Sequence, residues 1–484
     1  MVKSVQLAFF FVASLLFFSL GNWSLPLIDR DEPRFAESSR EMLQSGDFLI
    51  PRLNGEFRFD KPPLIYWCQA LSFQLFGAND FSARLPSSFF AALTGMATIV
   101  WATRLFGDRT GWLAGIVFAT SLQVVIHGRA AVADMPMVFF FAVSTWAAWE
   151  RKCCPGEKRW WWAFYLSVAL GFLAKGPVAL LPVLLMPLFC SVKRSRYSIN
   201  PASAIRGTAL AIAVIGFWGV PALIVTNGQF FSVGIGKHVI DRSLHPMESH
   251  GVAGWLGYLA FLPFYFVSTF LSFFPWSIFL PSVLSRLRRE RTAEETYLFL
   301  AIAVVFFLFT LLQTKLPHYI LPAFPMLSIL VAARLSTKMG LTIASSMIIA
   351  CAGIALFGFP AIAPLFVSKR IAQDALPLIS PETRTASVDY DEQSLIWYLR
   401  SKVRPFHRRI SVNELDNFMQ KPGPALCVMN SLLLGKTRID PAWRSFTVSG
   451  RNFARWHLRT HHFFGLALPL PSPEYLNLSA FFKQ

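Results

Sequence analysis

The sequence predicts a mainly α-helical, polytopic membrane protein that ends in a small soluble domain of the α/β type. Of its 484 residues, 54% are hydrophobic and only 15% are charged, whereas soluble domains contain about 25% charged residues. The mean hydropathy is +0.47. A chain this apolar cannot stay disordered in water. It also has too little polar sequence to cover a single soluble core.

Eleven apolar segments are candidate membrane-spanning helices. They are residues 5–27, 83–106, 111–127, 135–150, 160–174, 176–192, 207–226, 255–284, 297–313, 319–336 and 340–366. A helix needs about 20 apolar residues to cross a bilayer, and these segments predict about 11–13 spans. Prolines within 255–284 predict kinks or a break in that segment. A shorter apolar segment, 63–77, is typical of a helix that lies along the membrane surface.

Basic residues predict how these spans are oriented. With the N-terminus in the cytoplasm, the basic loops of the membrane part all fall on the cytoplasmic side, as the positive-inside rule requires. These loops lie around 104–109, 151–159, 193–206 and 286–291. A net charge of +18 is therefore expected to face membrane lipids, and no nucleic-acid partner is predicted.

The opposite side of the membrane receives a long outer loop, residues 28–82, and the C-terminal part of the chain. From about residue 367 onward, proline and charged residues return, and short β-prone runs alternate with turn signals. We therefore expect a transmembrane domain over 1–366, which includes the outer loop with its interfacial helix. A small soluble domain over 367–484 should lie on the outer side.

The outer loop begins with residues that could carry chemistry. Asp31 and Arg34 belong to a predicted helix start, with acidic residues at the positive end of the helix dipole. A carboxylate where the chain leaves the membrane can accept a proton from a hydroxyl, and a guanidinium can bind a phosphate with two hydrogen bonds. Glu37, Arg40 and Glu41 follow at helical spacing, which predicts a solvated surface helix with i,i+3 and i,i+4 ion pairs.

Two further acidic positions follow along the chain. Asp60 and Lys61 precede two prolines, which fix the backbone in a rigid turn. Lys61 fits a phosphate ligand and a snorkelling membrane anchor equally well. Asp134 stands at the outer edge of an apolar stretch, where an acidic residue is costly and usually functional. It also suits the N-terminus of the next helix, and both roles can hold together.

The remaining candidates also lie at outer edges. Lys175 stands alone between two apolar segments, and His318 and Tyr319 begin another. The loop 227–254 holds a cluster of ionisable residues, namely Lys237, His238, Asp241, Arg242, His245, Glu248 and His250. These residues lack the HExxH spacing of a metal site, and the chain has no GxxxxGK[ST] phosphate-binding loop. Acids and cations that gather on one side of a membrane suit a lipid-phosphate-linked substrate.

Five motifs, taken together and in order, resemble those of the polytopic GT-C glycosyltransferases. They are DEPRFAESSREML, FDKPPLIYW, ADMPM, LAKGP and TKLPHYILP. The similarity covers about residues 5–340 and is greatest to the bacterial lipid A aminoarabinose transferases, which are related to the protein O-mannosyltransferases. It implies inverting transfer of a sugar from a polyprenyl phosphate donor to lipid A, another glycan or a protein. The expected location is the periplasmic face of the bacterial inner membrane.

The resemblance also implies roles for individual residues. Asp31 and Asp134 match catalytic positions, and a second set matches positions that bind the donor phosphate or the substrate. This second set comprises Arg34, Asp60, Lys61, Lys175, Arg242, His318 and Tyr319. The pair Asp60–Lys61 stands where the aminoarabinose enzymes have Glu-Lys, so the acid here is one methylene shorter. His238 and Asp60 are the implied ligands of a possible divalent metal, and no cofactor beyond such a metal is implied.

The competing function is that of a carrier, such as a flippase or transporter for a lipid-linked sugar. A carrier predicts acidic residues in the middle of spans and broken helices in two matching halves. In this chain the ionisable residues lie at the outer ends of the spans, and no internal repeat is visible. The sequence therefore favours a transferase.

Overall fold

The computed structural model describes residues 3–193, 200–234, 236, 255–437, 439–463 and 466–484. The helices of its first half are α1 (Ser4–Ser19), α2 (Asp31–Ser45), α3 (Leu64–Phe76), α4 (Asp80–Phe106), α5 (Asp108–Ala119), α6 (Leu122–His127), α7 (Asp134–Cys153), α8 (Lys158–Lys175), α9 (Pro182–Lys193), α10 (Pro201–Val225) and α11 (Gln229–Phe231). A short hairpin of β1 (Arg52–Leu53) and β2 (Glu56–Phe57) lies between α2 and α3.

The second half continues the helical bundle and then forms a sheet. Its helices are α12 (Trp255–Ala260), α13 (Phe264–Ser272), α14 (Leu280–Arg289), α15 (Ala293–Leu311), α16 (Phe324–Ala332), α17 (Thr337–Gly353), α18 (Phe359–Ile362), α19 (Val367–Ala375), α20 (Gln393–Leu399) and α21 (Leu415–Gln420). Its strands are β3 (Arg384–Val388), β4 (Arg408–Arg409), β5 (Ala425–Asn430), β6 (Arg444–Phe463) and β7 (Leu466–Lys483).

Each of the eleven apolar segments is helical over most of its length. Among the described residues, four helical stretches are long and apolar enough to cross a bilayer alone: α4, α10, α15 and the continuous stretch Thr337–Leu365. A fifth is possible if the pair Gly257–Ser272 and Trp276–Arg289, bent by 116°, is one span. This bend confirms the break that the prolines predict. The other apolar helices are shorter, and the total of 11–13 spans stays a prediction.

The bundle is held together by large buried aromatic side chains and by close backbone approach. Trp101, Phe118 and Trp276 are almost completely buried in one apolar core. The helices α4 and α5 run side by side after a turn at Gly107, whose φ of 88° suits glycine. A Cβ atom at Gly115 would lie 2.3 Å from Cγ1 of Ile99. Glycine there lets the two helices pack in contact.

The sequence also explains where individual elements begin and which face they bury. The helix α4 begins with a capping box, in which Asn79 accepts a hydrogen bond from the Ser82 amide at 2.9 Å. The predicted helix at 63–77 is present as α3. Its Leu71 and Leu75 are 58% and 67% exposed, as expected for a helix at a membrane surface. That placement stays a prediction.

The C-terminal part forms a five-stranded mixed sheet in the order β4–β3–β5–β7–β6. The strands β4, β3 and β5 are parallel, while β7 runs antiparallel to β5 and β6. One face is covered by α19 and α20, whose Ile371 and Leu395 share a core with Val428 and Leu478. The sequence predicts this small α/β-type region correctly. The domain boundary at 366/367 stays a prediction.

The prediction of a solvated surface helix for Glu37, Arg40 and Glu41 is wrong. Their side chains are buried, with residue exposures of 0%, 4% and 6%. The reason is tertiary packing, because α20 lies against α2 and brings Arg400 to both acids. A sequence pattern of i,i+3 and i,i+4 charges is the same whether or not another element covers it.

Candidate active site

Asp31 is exposed at the first turn of α2, and its neighbour Glu32 fixes this turn. The Glu32 carboxylate accepts two hydrogen bonds from Arg84, from Nε at 2.8 Å and from Nη2 at 2.7 Å. It also accepts from the backbone amides of Ile28 and Ala131. These bonds join the outer loop to α4 and to the segment before α7, while Asp31 faces outward.

A second group of polar residues lies at the ends of three helical elements. Asp134 is the first residue of α7, and Lys175 is the last residue of α8. Asp134 Oδ1 lies 2.5 Å from Lys175 Nζ and 3.9 Å from Nε2 of His318. Lys175 Nζ lies 5.7 Å from the ring centroid of Tyr319, within cation–π range. The structure therefore brings together four residues that the sequence predicts as site residues.

The turn that holds Asp60 and Lys61 is anchored by a buried arginine. Nη2 of Arg58 lies 2.6 Å from Oδ2 of Asp60, and Nε of Arg58 donates to the Tyr66 hydroxyl at 3.0 Å. Burial works against the charge of Arg58, but Tyr66, Asp60 and then Asp31 outweigh it and raise its pKa. Asp31 is thus close enough to Arg58 to interact with it electrostatically.

Lys61 connects this anchored turn to the second group. It is partly buried, and its ammonium donates to the carbonyl of Asp60 at 3.1 Å. Its charge also acts on His318. Arg58 and Lys61 thus link the exposed Asp31 electrostatically to the group of Asp134, Lys175 and His318 at the helix ends.

The sequence missed three residues of this region, namely Glu32, Arg58 and His127. His127 ends the apolar helix α6, and a single histidine in an apolar segment carries no signal of a site. Its Nδ1 contacts the Gln123 carbonyl oxygen at 3.3 Å. His127 and His318 have ring centroids 4.9 Å apart.

A divalent metal could use some of these side chains. His127, Asp134 and His318 each offer a ligand atom, and the three atoms lie within 4.8 Å of one another. Two imidazoles and one carboxylate are a ligand set that suits zinc and similar ions. The ammonium of Lys175 lies on the same carboxylate and would compete with a metal.

The metal pair implied by the resemblance consists of different residues, His238 and Asp60, and the structure describes only Asp60. His238 and Arg242 fall outside the described residues. Asp60, the other member of that pair, forms an ion pair with Arg58. The roles assigned to Asp60, His238 and Arg242 therefore stay predictions.

Comparison with known proteins supports the resemblance. Residues 60–219 match the family model described as dolichyl-phosphate-mannose-protein mannosyltransferase. An undecaprenyl phosphate-alpha-4-amino-4-deoxy-L-arabinose arabinosyl transferase of Pectobacterium atrosepticum is 32% identical over 346 residues, which are 69% of this chain and 59% of that protein. The corresponding transferase of Enterobacter sp. (strain 638) is 31% identical over 62% of this chain and 54% of its own length.

Solved structures agree with this match. The structure of ArnT from Cupriavidus metallidurans bound to undecaprenyl phosphate superposes on this chain with a TM-score of 0.76 at 17% sequence identity. The superposition covers 99% of this chain and 98% of the ArnT chain. The family model, the transferase relatives and the ArnT structure together support a GT-C glycosyltransferase of the ArnT/PMT family. They confirm the resemblance and the predicted fold class, that of a multi-pass membrane protein. The chain spans 54% to 65% of the length of the first relatives it matches in sequence.

Proposed function

We propose that the protein is an inverting glycosyltransferase that uses a polyprenyl phosphate-linked sugar. Its acceptor would be lipid A, another envelope glycan or a protein, and its active site would face the periplasm of a bacterial inner membrane. The observation that carries this proposal is the group of Asp134, Lys175 and His318, on which the charge of Lys61 acts, together with the exposed Asp31, which interacts with Arg58 of the Lys61 turn. The match to the GT-C family and the names of the relatives support the proposed reaction.

The lysines and Arg34 would act on the donor phosphate. In the proposed reaction this phosphate is the leaving group, and its negative charge grows as the bond to the anomeric carbon breaks. Cations held in place before the reaction stabilise such charge without reorganisation. Lys61 lies at a rigid turn and Lys175 is held by Asp134, so both are positioned for this role.

Asp31 would act on the acceptor. An acceptor hydroxyl needs a base, and the exposed carboxylate at the start of α2 can take its proton during attack on the anomeric carbon. Attack on the face opposite the leaving phosphate inverts the configuration. If the acceptor is itself a phosphate, as on lipid A, it needs little base catalysis, and Asp31 would mainly orient it.

Reconstitution into liposomes tests the proposal against the carrier alternative. Purified protein would receive a polyprenyl phosphate-linked aminoarabinose and lipid A, with a hydroxyl acceptor in a parallel sample. Mass spectrometry would follow loss of the donor and gain of glycosylated product. We expect product with the wild type and none with Asp31→Asn. Movement of the donor across the bilayer without product would instead identify a carrier. Mass spectrometry of lipid A and glycans from a deletion strain would identify the natural acceptor.

A further inference from the structure

Helix α20 of the C-terminal sheet region holds the segment that leads into Asp31. The Tyr398 hydroxyl accepts a hydrogen bond from the Leu27 amide at 2.9 Å. The amide of Ser394 donates to Oδ1 of Asp29 at 2.9 Å, and the Ser394 hydroxyl donates to Oδ2 of the same carboxylate. These contacts fix the backbone two and four residues before Asp31.

The hydroxyl of Ser394 belongs to a short chain of hydrogen bonds inside the C-terminal region. It contacts Oγ of Ser368 at 2.7 Å, and that atom lies 2.5 Å from the Tyr390 hydroxyl. Ser368 and Ser394 are buried, at 4% and 2% exposure. Burial raises the pKa of Asp29 to about 7, although the hydrogen bonds from Ser394 oppose this rise. Asp29 is therefore joined to two elements of the sheet region.

The same helix also holds α2 beyond Asp31. Just after α20, Arg400 donates from Nη1 to Glu41 at 2.9 Å, and its Nε lies 3.4 Å from Glu37. Arg40 donates to the carbonyl of Trp397 at 2.9 Å and lies over the Trp397 ring at 4.3 Å. Two acids and two guanidinium groups thus form a buried network with no net charge.

Such a network is a costly way to stabilise a protein. Apolar residues of similar volume can often replace buried ion pairs without loss of stability, because desolvation of the charges offsets their attraction. Charged partners at fixed positions can, however, favour one relative placement of the two helices. The distribution of these contacts on both sides of Asp31 indicates that this placement matters at Asp31.

We propose that α20 is a positioning element for the catalytic loop, with Ser394 and Tyr398 as its positioning residues. Through Asp29 and Leu27 they would set the place of the Asp31 carboxylate, while Arg84 holds the other side of the same turn through Glu32. This inference rests on the proposed function. A displacement of about 1 Å at a catalytic group can reduce a rate about 100-fold. Small changes in α20 should therefore lower the rate of the proposed reaction.

The test compares Ser394→Ala with Ser394→Thr and with the control Ser401→Ala in the full-length protein. Ser401 is exposed, and its hydroxyl donates within its own turn, to the Tyr398 carbonyl. We expect Ser394→Ala to lower kcat at least tenfold with a donor KM within about twofold of the wild type. Ser394→Thr, which keeps the hydroxyl, should recover most of kcat, and Ser401→Ala should match the wild type. Tyr398→Phe, which keeps the ring, should behave like Ser394→Ala.

Hydrogen–deuterium exchange of the peptide 27–36 provides a second measurement that needs no activity. Exchange should rise in Ser394→Ala and Tyr398→Phe, and it should stay at the wild-type level in Ser401→Ala. Unchanged exchange in both variants would overturn the positioning role, whatever the activity. Increased exchange with a wild-type kcat would overturn it as well. If the wild type itself transfers no sugar while exchange responds as expected, the proposed function fails and the contact between α20 and the loop stands.

Discussion

The buried Asp134 and the partly buried Lys175 form an ion pair at 2.5 Å, and each stands at the helix end whose dipole favours its charge. Asp134 begins α7 and Lys175 ends α8, so the carboxylate meets a positive helix end and the ammonium a negative one. The pair is 41 residues apart in sequence. Its ammonium is held at the end of the bundle where the proposed donor phosphate would arrive.

This pair predicts opposite results for stability and activity. Lys175→Met leaves a buried carboxylate without its partner, which costs about 3–5 kcal/mol. The double variant Asp134→Asn/Lys175→Met should recover most of that stability but no transferase activity, because the phosphate-binding ammonium is still absent. Thermal unfolding in detergent and transfer assays on the same preparations check both results. Activity in the double variant near that of the wild type would contradict the role of Lys175.

Asp31→Asn should abolish transfer and leave the protein folded. The substitution is nearly isosteric, and the side chain is exposed at a helix start, so the free energy of unfolding should change by less than about 0.5 kcal/mol. Thermal unfolding and the turnover number measured on one preparation check the prediction. A rate near that of the wild type would show that another group is the central carboxylate.

Lys61→Ala tests whether Lys61 is a phosphate ligand or a membrane anchor, the two roles that the sequence leaves open. A phosphate contact that strengthens as charge develops should raise the KM for the donor and also lower kcat. A membrane anchor would instead reduce the yield of inserted protein and leave the activity of each molecule unchanged. Kinetics normalised to the amount of purified protein distinguish these outcomes. Lys338→Ala is the control, since Lys338 is an exposed lysine in the first turn of α17.

The sequence alone predicts those features of the fold and the site that depend on residues close together in the chain. Helix lengths, the start of α2 at Asp31 and the polar ends of α7 and α8 follow from runs of apolar residues and from their interruptions. The sequence does not predict contacts between side chains that are far apart along the chain. Glu32 meets Arg84 across 52 residues, and Glu41 meets Arg400 across 359. Charges that later become buried have the same spacing as charges on a solvated helix, so burial by α20 could not be read from α2.

His407 predicts how the C-terminal region responds to acid. Its ring nitrogens contact Oγ1 of Thr385 at 3.1 Å and Oγ of Ser387 at 3.0 Å. Burial, and then Arg409, lower its pKa to about 3. The unfolded chain, with a pKa of about 6.5, then binds a proton that the folded chain does not. The contribution of His407 to the free energy of unfolding is therefore fully present above about pH 6.5. It is lost as the pH falls toward 3.

The corresponding experiment compares thermal unfolding at pH 7.5 and pH 5. The free energy of unfolding should be about 2 kcal/mol lower at pH 5 than at pH 7.5 because of His407. This contribution should be absent in His407→Gln. Equal pH dependence in the two proteins would show that His407 does not control the acid response.

The last prediction concerns sidedness, on which the proposed periplasmic reaction depends. Residues 28–82, 227–254 and 367–484 should be periplasmic, and the basic loops 193–206 and 285–296 should be cytoplasmic, because short loops rich in Arg and Lys stay inside. Terminal domains can cross a membrane regardless of their charge, so the basic C-terminal region is no objection.

Cysteine labelling with an impermeant reagent checks this topology after the native cysteines are replaced. The label must be placed at exposed positions. Glu382, in the C-terminal region, and Arg289, in the basic loop 285–296, are both exposed. We expect Glu382→Cys to react in intact cells and Arg289→Cys to react only after lysis. The reverse pattern would place Asp31, Asp60 and Asp134 in the cytoplasm, where a transfer from a periplasmic lipid-linked sugar could not occur.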